Sequence, residues 1–237
     1  TNLEQTMPST LITGANRGLG LEFVRQYLAE GWDVYAGVRA PDEAKDLNRL
    51  AKDSGGKLRV LQMDVADPTS IERAAAELKG RPIDVLINNA GSMGPRGQRL
   101  GDIDFDAWLD VLAINTLGPA RVTEAFVENV ANSERKTIVT ITSGMGSISD
   151  NSSGGSVIYR SSKAAVNMVM RTFALDLADR GIISIVVNPG WVRTDMGGPN
   201  ANMDAPESIR RMRRLIEGLE LEHSGKFFNH NGREYPW

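Results

Sequence analysis

The sequence contains no cysteine and, in 237 residues, only two histidines, His223 and His230. Without cysteine the chain can form no disulfide, no thiolate metal site and no cysteine nucleophile. A Ser-His-Asp hydrolase or a histidine-based metal site would need a histidine beside a nucleophile or further ligands, and no G-x-S-x-G motif is present. We therefore expect no bound metal, and we interpret both histidines as polar surface residues.

An excess of positive charge is lacking as well, because the formal net charge is −3 at pH 7. This balance does not favour nucleic acid or an anionic membrane, and we expect neither as a partner. No apolar run approaches the roughly 20 residues that span a bilayer. The polar segment Thr1–Ser9 predicts no signal peptide. Together with the absence of cysteine, this agrees with a cytoplasmic location, which is our expectation.

One basic run stands out against this background. Four arginines between Arg210 and Arg214 lie on a predicted amphipathic helix that begins at Asp204 and carries Ile209, Met212 and Ile216 on its apolar side. Such a run is usually a solvated helix face. Contact with an anionic substrate or a membrane is the alternative.

Apolar strand-like runs alternate with helix-like segments along the chain, and no linker interrupts them. This alternation predicts one α/β domain over residues 1–237, a Rossmann-type parallel sheet with helices on both faces. The predicted strands are Thr10–Thr13, Asp33–Val38, Lys57–Met63, Asp84–Ile87, Thr137–Thr142 and Ser184–Asn188. The predicted helices are Leu19–Glu30, Ala40–Ser54, a helix with Asp67 as its N-cap, Ala107–Asn129 and Val157–Asp179.

A glycine-rich turn follows the first strand, in the order Thr13-Gly14-Ala15-Asn16-Arg17-Gly18-Leu19-Gly20. Glycines let the main chain approach a pyrophosphate closely, and the helix that starts near Leu19 offers free N–H groups and a positive dipole end. The spacing is G-x-x-x-G-x-G rather than the commoner G-x-G-x-x-G. The turn predicts a dinucleotide site, although a tight strand-to-helix turn without a ligand would look similar.

The end of the second strand indicates which dinucleotide is bound. NAD enzymes place an acidic residue about 20 residues past the glycines, to bind the ribose 2′-hydroxyl. Here Asp33 lies at the wrong end of the strand and Asp42 follows a proline, whereas Arg39 comes directly after the strand. Arg39 and Arg17 could both bind a 2′-phosphate. We therefore predict NADP(H), with NAD(H) as the less favoured cofactor and solvated surface arginines as the other interpretation.

Tyr159 and Lys163 stand four residues apart in a segment with helical periodicity, and so share a helix face. A tyrosine with a pKa of about 10 is a poor acid–base group at neutral pH. A neighbouring cation lowers that pKa, which makes the pair a sensible proton donor for a carbonyl oxygen. A bare Y-x-x-x-K is common by chance and is by itself more often a surface pair.

Several motifs, taken together and in this order, resemble the classical short-chain dehydrogenases/reductases, and in particular the branch of the carbonyl reductases and C-factor-like proteins. The resemblance covers roughly residues 8–196. It is carried by Thr13 to Gly20, Asn88-Asn89-Ala90-Gly91, Asn115, Ser143, Tyr159 with Lys163, and Pro189-Gly190-Trp191-Val192-Arg193-Thr194. Arg17 with Arg39, the long loop after Ser143 and the ending Gly225-Lys226-Phe227-Phe228 … Pro236-Trp237 resemble that branch.

The resemblance implies a role for each matching residue. Tyr159 would donate the proton, Lys163 would bind the nicotinamide ribose and lower the tyrosine pKa, Ser143 would hydrogen-bond the substrate oxygen, and Asn115 would hold a water that links Lys163 to solvent. Asp64 would contact the adenine, Asn89 to Gly91 would line the cofactor, and Pro189 to Thr194 would cover the carboxamide. The implied cofactor-binding residues are Gly14, Asn16, Arg17, Gly18, Leu19, Gly20, Arg39, Asp64, Val65, Asn89, Ala90, Gly91, Tyr159, Lys163, Pro189, Gly190, Val192 and Thr194.

The serine assignment has an alternative within the sequence. Ser143 precedes Tyr159 by sixteen residues, a few more than the usual family spacing, and Ser147 would fit the shorter spacing. We favour Ser143 because it directly follows the strand, and because the Gly/Ser-rich loop can absorb an insertion.

The activity that the resemblance implies is NADPH-dependent reduction of a small carbonyl compound to an alcohol. Substrate specificity is expected in the loops 93–105, 144–157 and 195–212, and the identity of the substrate stays open. The resemblance also implies a homodimer or homotetramer. A cofactor-binding signalling or sensor protein with little turnover is the alternative function.

Overall fold

A computed structural model of the chain describes residues 7–237. Most of Thr1–Ser9, the polar segment discussed above, therefore lies outside the described residues. Seven parallel strands form one sheet in the order β3-β2-β1-β4-β5-β6-β7, which confirms the predicted parallel α/β fold. The strands are β1 (Ser9–Thr13), β2 (Asp33–Val38), β3 (Leu58–Gln62), β4 (Val85–Asn88), β5 (Thr137–Ile141), β6 (Ile183–Asn188) and β7 (Phe227–Asn229).

Helices cover both faces of this sheet. They are α1 (Gly18–Ala29), α2 (Lys45–Asp53), α3 (Pro68–Glu77), α4 (Phe105–Leu112), α5 (Gly118–Ala131), α6 (Val157–Asp176) and α7 (Ala205–Glu217). Apolar residues of α1, α2 and α7 pack on one face, and those of α3, α5 and α6 pack on the other. Successive residues of β1 serve opposite faces, since Ile12 belongs to the first core and Leu11 to the second.

Three elements differ from the sequence expectation. β7 pairs with β6 over only three residues, which is too short for its period to be read in sequence. The helix predicted to start at Ala40 begins at Lys45, because Pro41–Glu43 form a 3₁₀ turn first. Asp33–Val38 has the predicted bounds, whereas the other predicted strands shift by one residue at one or both ends, as hydrogen-bond criteria commonly shift them.

The helix predicted over Ala107–Asn129 is divided into α4 and α5 by a π-helical segment, Ala113–Leu117. Residue 119 is a proline at the start of α5. An α-helical hydrogen bond to the carbonyl of Asn115 would come from the N–H of residue 119, and proline has none. The proline therefore explains why regular α-helix cannot continue here, and it leaves the main-chain carbonyl of Asn115 without its usual donor.

The arginine run lies on α7. Arg210 and Arg211 pair with Glu207, and Arg213 lies over the ring of Tyr27, so these three side chains are held on the protein.

His230 is buried against Gly190, where an added Cβ would be 2.9 Å from the His230 ring. The interpretation of His230 as a surface residue is therefore wrong. Burial lowers its pKa.

Within residues 7–237, no helix is long and apolar enough to cross a membrane. The same part of the chain contains no group of three histidine, cysteine, aspartate or glutamate side chains arranged to hold a metal ion.

The chain reverses its direction of winding between β1 and β4, which are neighbours in the sheet although β2 and β3 lie between them in sequence. The loops after β1 and β4 therefore diverge to opposite faces. A crevice at the carboxyl ends of such strands is where open α/β sheets bind their ligands.

Candidate active site

A cleft of about 730 Å³ opens at this reversal point. The predicted cofactor-binding residues that line it are Gly14, Asn16, Arg17, Gly18, Leu19, Arg39, Asp64, Val65, Asn89, Ala90, Gly91, Tyr159, Lys163, Pro189 and Thr194. Gly20, Gly190 and Val192 lie behind the lining: Val192 is buried, and Gly20 and Gly190 are packed against other residues.

The glycine turn is packed so tightly that side chains would not fit at two of its positions. A Cβ on Gly20 would lie 2.2 Å from the carbonyl oxygen of Gly14, and one on Gly14 would lie 2.8 Å from the Cα of Ala90. Gly14 also has a φ of +65°, which glycine adopts without strain. Gly18 differs, because the nearest atom to its Cβ would be a methyl of Thr194 at 3.6 Å. The main chain at Gly18 is therefore open toward the cleft.

Side-chain hydrogen bonds tie this turn to the end of β4. The amide of Asn89 donates to the carbonyls of Thr13 and Gly14, at 2.9 and 3.2 Å. The hydroxyl of Thr13 accepts from the main-chain N–H groups of Asn89 and Ala90, both at 3.0 Å. The side-chain nitrogen of Asn89 thus holds the turn in place, a role that its motif alone does not show.

Arg39 and Arg17 border the same end of the cleft, and both are exposed. Arg17 is already paired: its guanidinium lies 2.7 Å from the carboxylate of Asp195, which comes from the opposite wall. Arg39 follows β2 directly, as the sequence indicates.

Tyr159 and Lys163 line the other end of the cleft. They project from the first two turns of α6, and both are buried. Ser143 follows β5 and is not among the lining residues; its hydroxyl accepts from the main-chain N–H of Met145 at 3.1 Å, and its side chain acts on the ionisation of Tyr159. The Lys163 ammonium donates to the carbonyl of Ile141 at 2.9 Å and lies 5.8 Å from the centre of the Tyr159 ring.

Burial dominates the ionisation of this pair. Desolvation raises the pKa of Tyr159 above its usual value, and the hydrogen bond with Ser143 acts in the opposite direction without reversing the shift. The pKa of Lys163 falls to about 8, again because the side chain is desolvated. The expected lowering of the tyrosine pKa by Lys163 is therefore not what this arrangement shows. A buried neutral tyrosine keeps its proton across the neutral range.

Asn115 lies in the π-helical segment and is fully buried. Its side-chain oxygen accepts from the N–H of Ser92, and its amide donates to the carbonyl of Ser92 and the hydroxyl of Ser162. A Cβ on Gly91 would lie 3.4 Å from the Asn115 side-chain oxygen and 3.6 Å from the Lys163 nitrogen, so these groups meet around Gly91. The side chain of Asn115 is thus engaged within the protein, and Pro119 removes the α-helical donor to its main-chain carbonyl.

The structure separates the two candidate serines. Ser147 is buried and donates to the main-chain oxygen of Trp237 at 3.0 Å, while its own oxygen accepts from the N–H of Asp150. Of the two serines, only Ser143 acts on the pKa of Tyr159, which its side chain lowers against the larger effect of burial.

Two of the three loops expected to carry substrate specificity border the cleft: 93–105 through Met93, Gly94 and Arg96, and 195–212 through Asp195 and Met196. No lining residue in the described part of the chain comes from 144–157. The lining residues that were not predicted are Ala40, Glu43, Met63, Ser92, Ile114, Ile141 and Thr142. Met63, Ile141 and Thr142 directly follow or end a strand, and for these three that position is the signal that could have indicated them.

The doubly wound sheet, with a glycine turn at its reversal point, defines a Rossmann-type α/β protein. The sequence model described as short chain dehydrogenase matches residues 9–205. The chain therefore belongs to the short-chain dehydrogenase family of oxidoreductases.

Among solved structures, the chain is similar to the carbonyl reductase Sniffer of D. melanogaster, with a TM-score of 0.92, 32% identity, and 98% and 100% of the two chains covered. It is similar also to an NADPH-bound carbonyl reductase from chicken fatty liver, with a TM-score of 0.89, 33% identity, and 98% and 99% covered. Among curated proteins, C-signal of Myxococcus xanthus is 47% identical over 156 residues, which are 66% of this chain and 93% of C-signal.

Proposed function

We propose that this protein is an NADPH-dependent carbonyl reductase that converts a small aldehyde or ketone to an alcohol. One observation carries the proposal: Tyr159, with Lys163 beside its ring, borders a cleft whose other end is the glycine turn. A proton donor and a nucleotide-binding turn in one cleft are the two components that carbonyl reduction needs.

The fit of a dinucleotide rests on the glycine turn. Its main chain is free of side chains at Gly18, where the first turn of α1 presents unpaired N–H groups to the cleft. Arg17 and Arg39 border the same region and favour a ribose that carries a 2′-phosphate. The NADPH-bound relative with 33% identity supports the same choice.

Carbonyl reduction needs a hydride at the carbon and a proton at the oxygen, and the C=O bond becomes H–C–O–H. Bound NADPH supplies the hydride from its nicotinamide ring. Tyr159 supplies the proton, because burial keeps the phenol protonated at neutral pH. The Ser143 hydroxyl would hydrogen-bond the same substrate oxygen and stabilise the negative charge that develops on it.

Lys163 and Asn115 support this donor. Lys163 uses one of its three N–H groups on the carbonyl of Ile141, which leaves two for a ribose hydroxyl and a water. The main-chain carbonyl of Asn115 would be the position for that water. The pair would then return a proton to Tyr159 from solvent after each turnover.

The test is NADPH consumption with a panel of reactive aldehydes and ketones, with the alcohol product quantified. We expect one alcohol per NADPH oxidised, and a catalytic efficiency with NADPH at least about tenfold above that with NADH, since a charge-assisted hydrogen bond contributes roughly 1.5–3 kcal/mol. Cofactor binding without oxidation by any member of the panel would contradict the proposal.

Signalling is the second candidate function, and the 47% identity to C-signal favours it. A protein that only binds a cofactor has no use for the Ser143–Tyr159 pair, whereas an enzyme whose product or turnover is sensed would use it. The same assay separates these cases, because a pure binder would retain NADPH affinity and show no turnover.

We also infer that the protein is a homo-oligomer. Leu109 on α4 and Met168 and Leu175 on α6 are large apolar side chains that are each more than 60% exposed. Burial of these side chains against a second copy would remove them from water. Light scattering on the purified protein would decide, and a monomer at micromolar concentration would contradict the inference.

A further inference from the structure

The last residues of the sequence lie against the loop that carries Ser143. We define the tail segment as Glu234–Trp237. The ring of Tyr235 packs on Phe227 of β7 at a centroid distance of 5.0 Å, and Trp237 packs on the same ring at 5.4 Å. The main-chain N–H of Tyr235 donates to the carbonyl of Phe227 at 2.7 Å. The tail segment is thus fixed to the edge of the sheet.

Four hydrogen bonds join the tail segment to residues 147–150. The hydroxyls of Ser147 and Ser149 donate to the main-chain oxygen of Trp237 at 3.0 and 2.7 Å, and the N–H of Ser149 donates to the same oxygen at 2.8 Å. The hydroxyl of Tyr235 donates to the carboxylate of Asp150 at 2.8 Å. These bonds are made by the first part of the loop between Ser143 and Tyr159, which is a few residues longer than the usual family spacing.

Contacts also reach the turn beside Ser143. Tyr235 lies against Gly144, where an added Cβ would be 2.7 Å from the tyrosine oxygen. On the other side of the same turn, a Cβ on Gly146 would lie 2.8 Å from the Cβ of Lys163. The 3₁₀ turn Gly144–Gly146 is therefore clasped between Tyr235 and Lys163, and Ser143 is its N-cap residue.

We propose that Tyr235 is a positioning residue, which through Asp150 and Gly144 holds the Ser143 hydroxyl at the distance from Tyr159 that catalysis requires. Ser147 anchors the same loop to Trp237. The proposal rests on the proposed function, because it assigns Tyr235 an effect that acts only through Ser143. Tyr235 and Ser147 do not line the cleft, so the positioning role does not involve direct contact with the substrate.

The physical reason is preorganisation. A hydrogen-bond donor stabilises a developing oxyanion only if it is already aimed at the right place, and loss of one such donor typically costs 10²–10³ in turnover. Ser143 follows a strand but is succeeded by a glycine-flanked turn, which by itself is a weak constraint. Loss of the Tyr235 hydroxyl should misplace the Ser143 hydroxyl rather than remove it. We therefore expect kcat to fall about tenfold, which is less than the loss expected when the donor is removed.

A double-mutant cycle tests this. Tyr235→Phe, Ser143→Ala and the double variant are compared in NADPH-dependent reduction, with NADPH affinity measured separately by fluorescence. We expect Tyr235→Phe to lower kcat about tenfold in the native background and less than twofold in the Ser143→Ala background, with NADPH affinity unchanged in both. Asp150→Ala removes the same bond from the loop side and should reproduce the effect if Tyr235→Phe folds poorly.

Tyr35→Phe is the matched control, because Tyr35 lies on β2 in the other half of the sheet. It should leave kcat as it is. Equal losses from Tyr235→Phe in both backgrounds, or no loss in the native background while Ser143→Ala is impaired, would overturn the positioning role and leave the proposed function standing. An unimpaired Ser143→Ala would overturn the catalytic role of Ser143 and the inference with it.

Discussion

The glycine turn after β1 and the serine turn after β5 occupy the two ends of one cleft, and they are held in different ways. In the glycine turn the tightest contacts are with main-chain atoms, the carbonyl of Gly14 and the Cα of Ala90. In the serine turn the two glycines differ: an added Cβ at Gly144 would meet side-chain atoms of Tyr235 and Asn188, whereas one at Gly146 would meet the Cβ and the main chain of Lys163. A main-chain contact cannot retreat from an added atom, whereas the end of a side chain can rotate away.

The two turns also differ in how far the sequence reveals them. The glycine turn is recognisable from glycines at fixed spacing, although Asn89, which supports it, lies about 75 positions further along the chain. The serine turn depends on residues up to about ninety positions away, whose relation to Ser143 exists only once the sheet is complete. We therefore expect substitutions in the glycine turn to act on folding and cofactor binding, and those in the serine turn to act mainly on turnover.

The largest effect is expected for Gly20→Ala. Its Cβ would meet main chain at 2.2 Å, so the turn must open, and we expect unfolding free energy to fall by about 3 kcal/mol with loss of NADPH binding. Gly144→Ala is the matched variant, because the nearest atoms to its Cβ all belong to side chains, the closest being the hydroxyl of Tyr235 at 2.7 Å. It should cost about 1 kcal/mol or less and lower kcat instead. Urea unfolding of both variants would decide, and equal losses of stability would contradict the distinction.

A second effect concerns Lys163, which clasps the serine turn. Its pKa is about 8 in the folded protein, against an ordinary lysine pKa of 10.5. Between pH 8 and 10.5, Lys163 is protonated in the unfolded chain but neutral in the folded protein, so the free energy of unfolding rises with pH. Below pH 8 the folded protein bears the full cost of burying the charged ammonium group. The free energy of unfolding of the native protein should rise relative to that of Lys163→Met by about 1.4 kcal/mol per pH unit at most in this window.

Urea unfolding of both proteins at pH 7, 8.5 and 9.5 measures this difference. Because Tyr159 is present in both proteins, its own titration cancels to first order. A difference that stays constant from pH 7 to 9.5 would show that Lys163 is not desolvated.

A third effect tests the phosphate-binding end. Arg39→Asp replaces a cation by an acid that can accept from a ribose 2′-hydroxyl, and we expect the preference for NADPH over NADH to fall ten- to a hundredfold. The substitution belongs at residue 39, because the neighbouring Val38 is buried in the core. Steady-state kinetics with both cofactors would show it. An unchanged preference would mean that Arg39 does not contact the cofactor.

The smallest effect is expected for Asp195→Asn. Asp195 pairs with Arg17 across the cleft, and both side chains are mostly exposed. An exposed ion pair contributes less than about 1 kcal/mol. Freeing Arg17 should tighten the binding of 2′,5′-ADP a few-fold and leave 5′-ADP unchanged, as measured by calorimetry. Weaker binding of 2′,5′-ADP would show that Asp195 orients Arg17 rather than competes for it.

The parallel sheet could be predicted because each strand other than β7 is a short, mostly apolar run between helical segments. Strands that are buried on both faces of a sheet have this composition. The glycine turn could be predicted because that turn is a local pattern. The exception is Gly20, which lies under the turn rather than in the cleft.

What the sequence could not predict depends on distant contacts. β7 is three residues long, and the pairing of the tail segment with residues 147–150 spans almost ninety positions. The buried state of His230 was also missed, since a polar residue two positions from a surface turn is ordinarily exposed. The break at Asn115, by contrast, carried a signal: a proline four residues later removes the donor that an α-helix would need.

Proton donation by Tyr159 in carbonyl reduction at this cleft is the proposed step on which the other roles depend. The most direct measurement is the single-turnover rate of reduction with NADPH already bound, for the native protein and Tyr159→Phe, with NADPH affinity measured on the same samples. We expect the single-turnover rate of Tyr159→Phe to fall at least about a hundredfold, as it does when a general acid is lost. Its NADPH affinity should stay within about twofold of the native value. A Tyr159→Phe variant that retains more than about a tenth of the native rate would contradict the account.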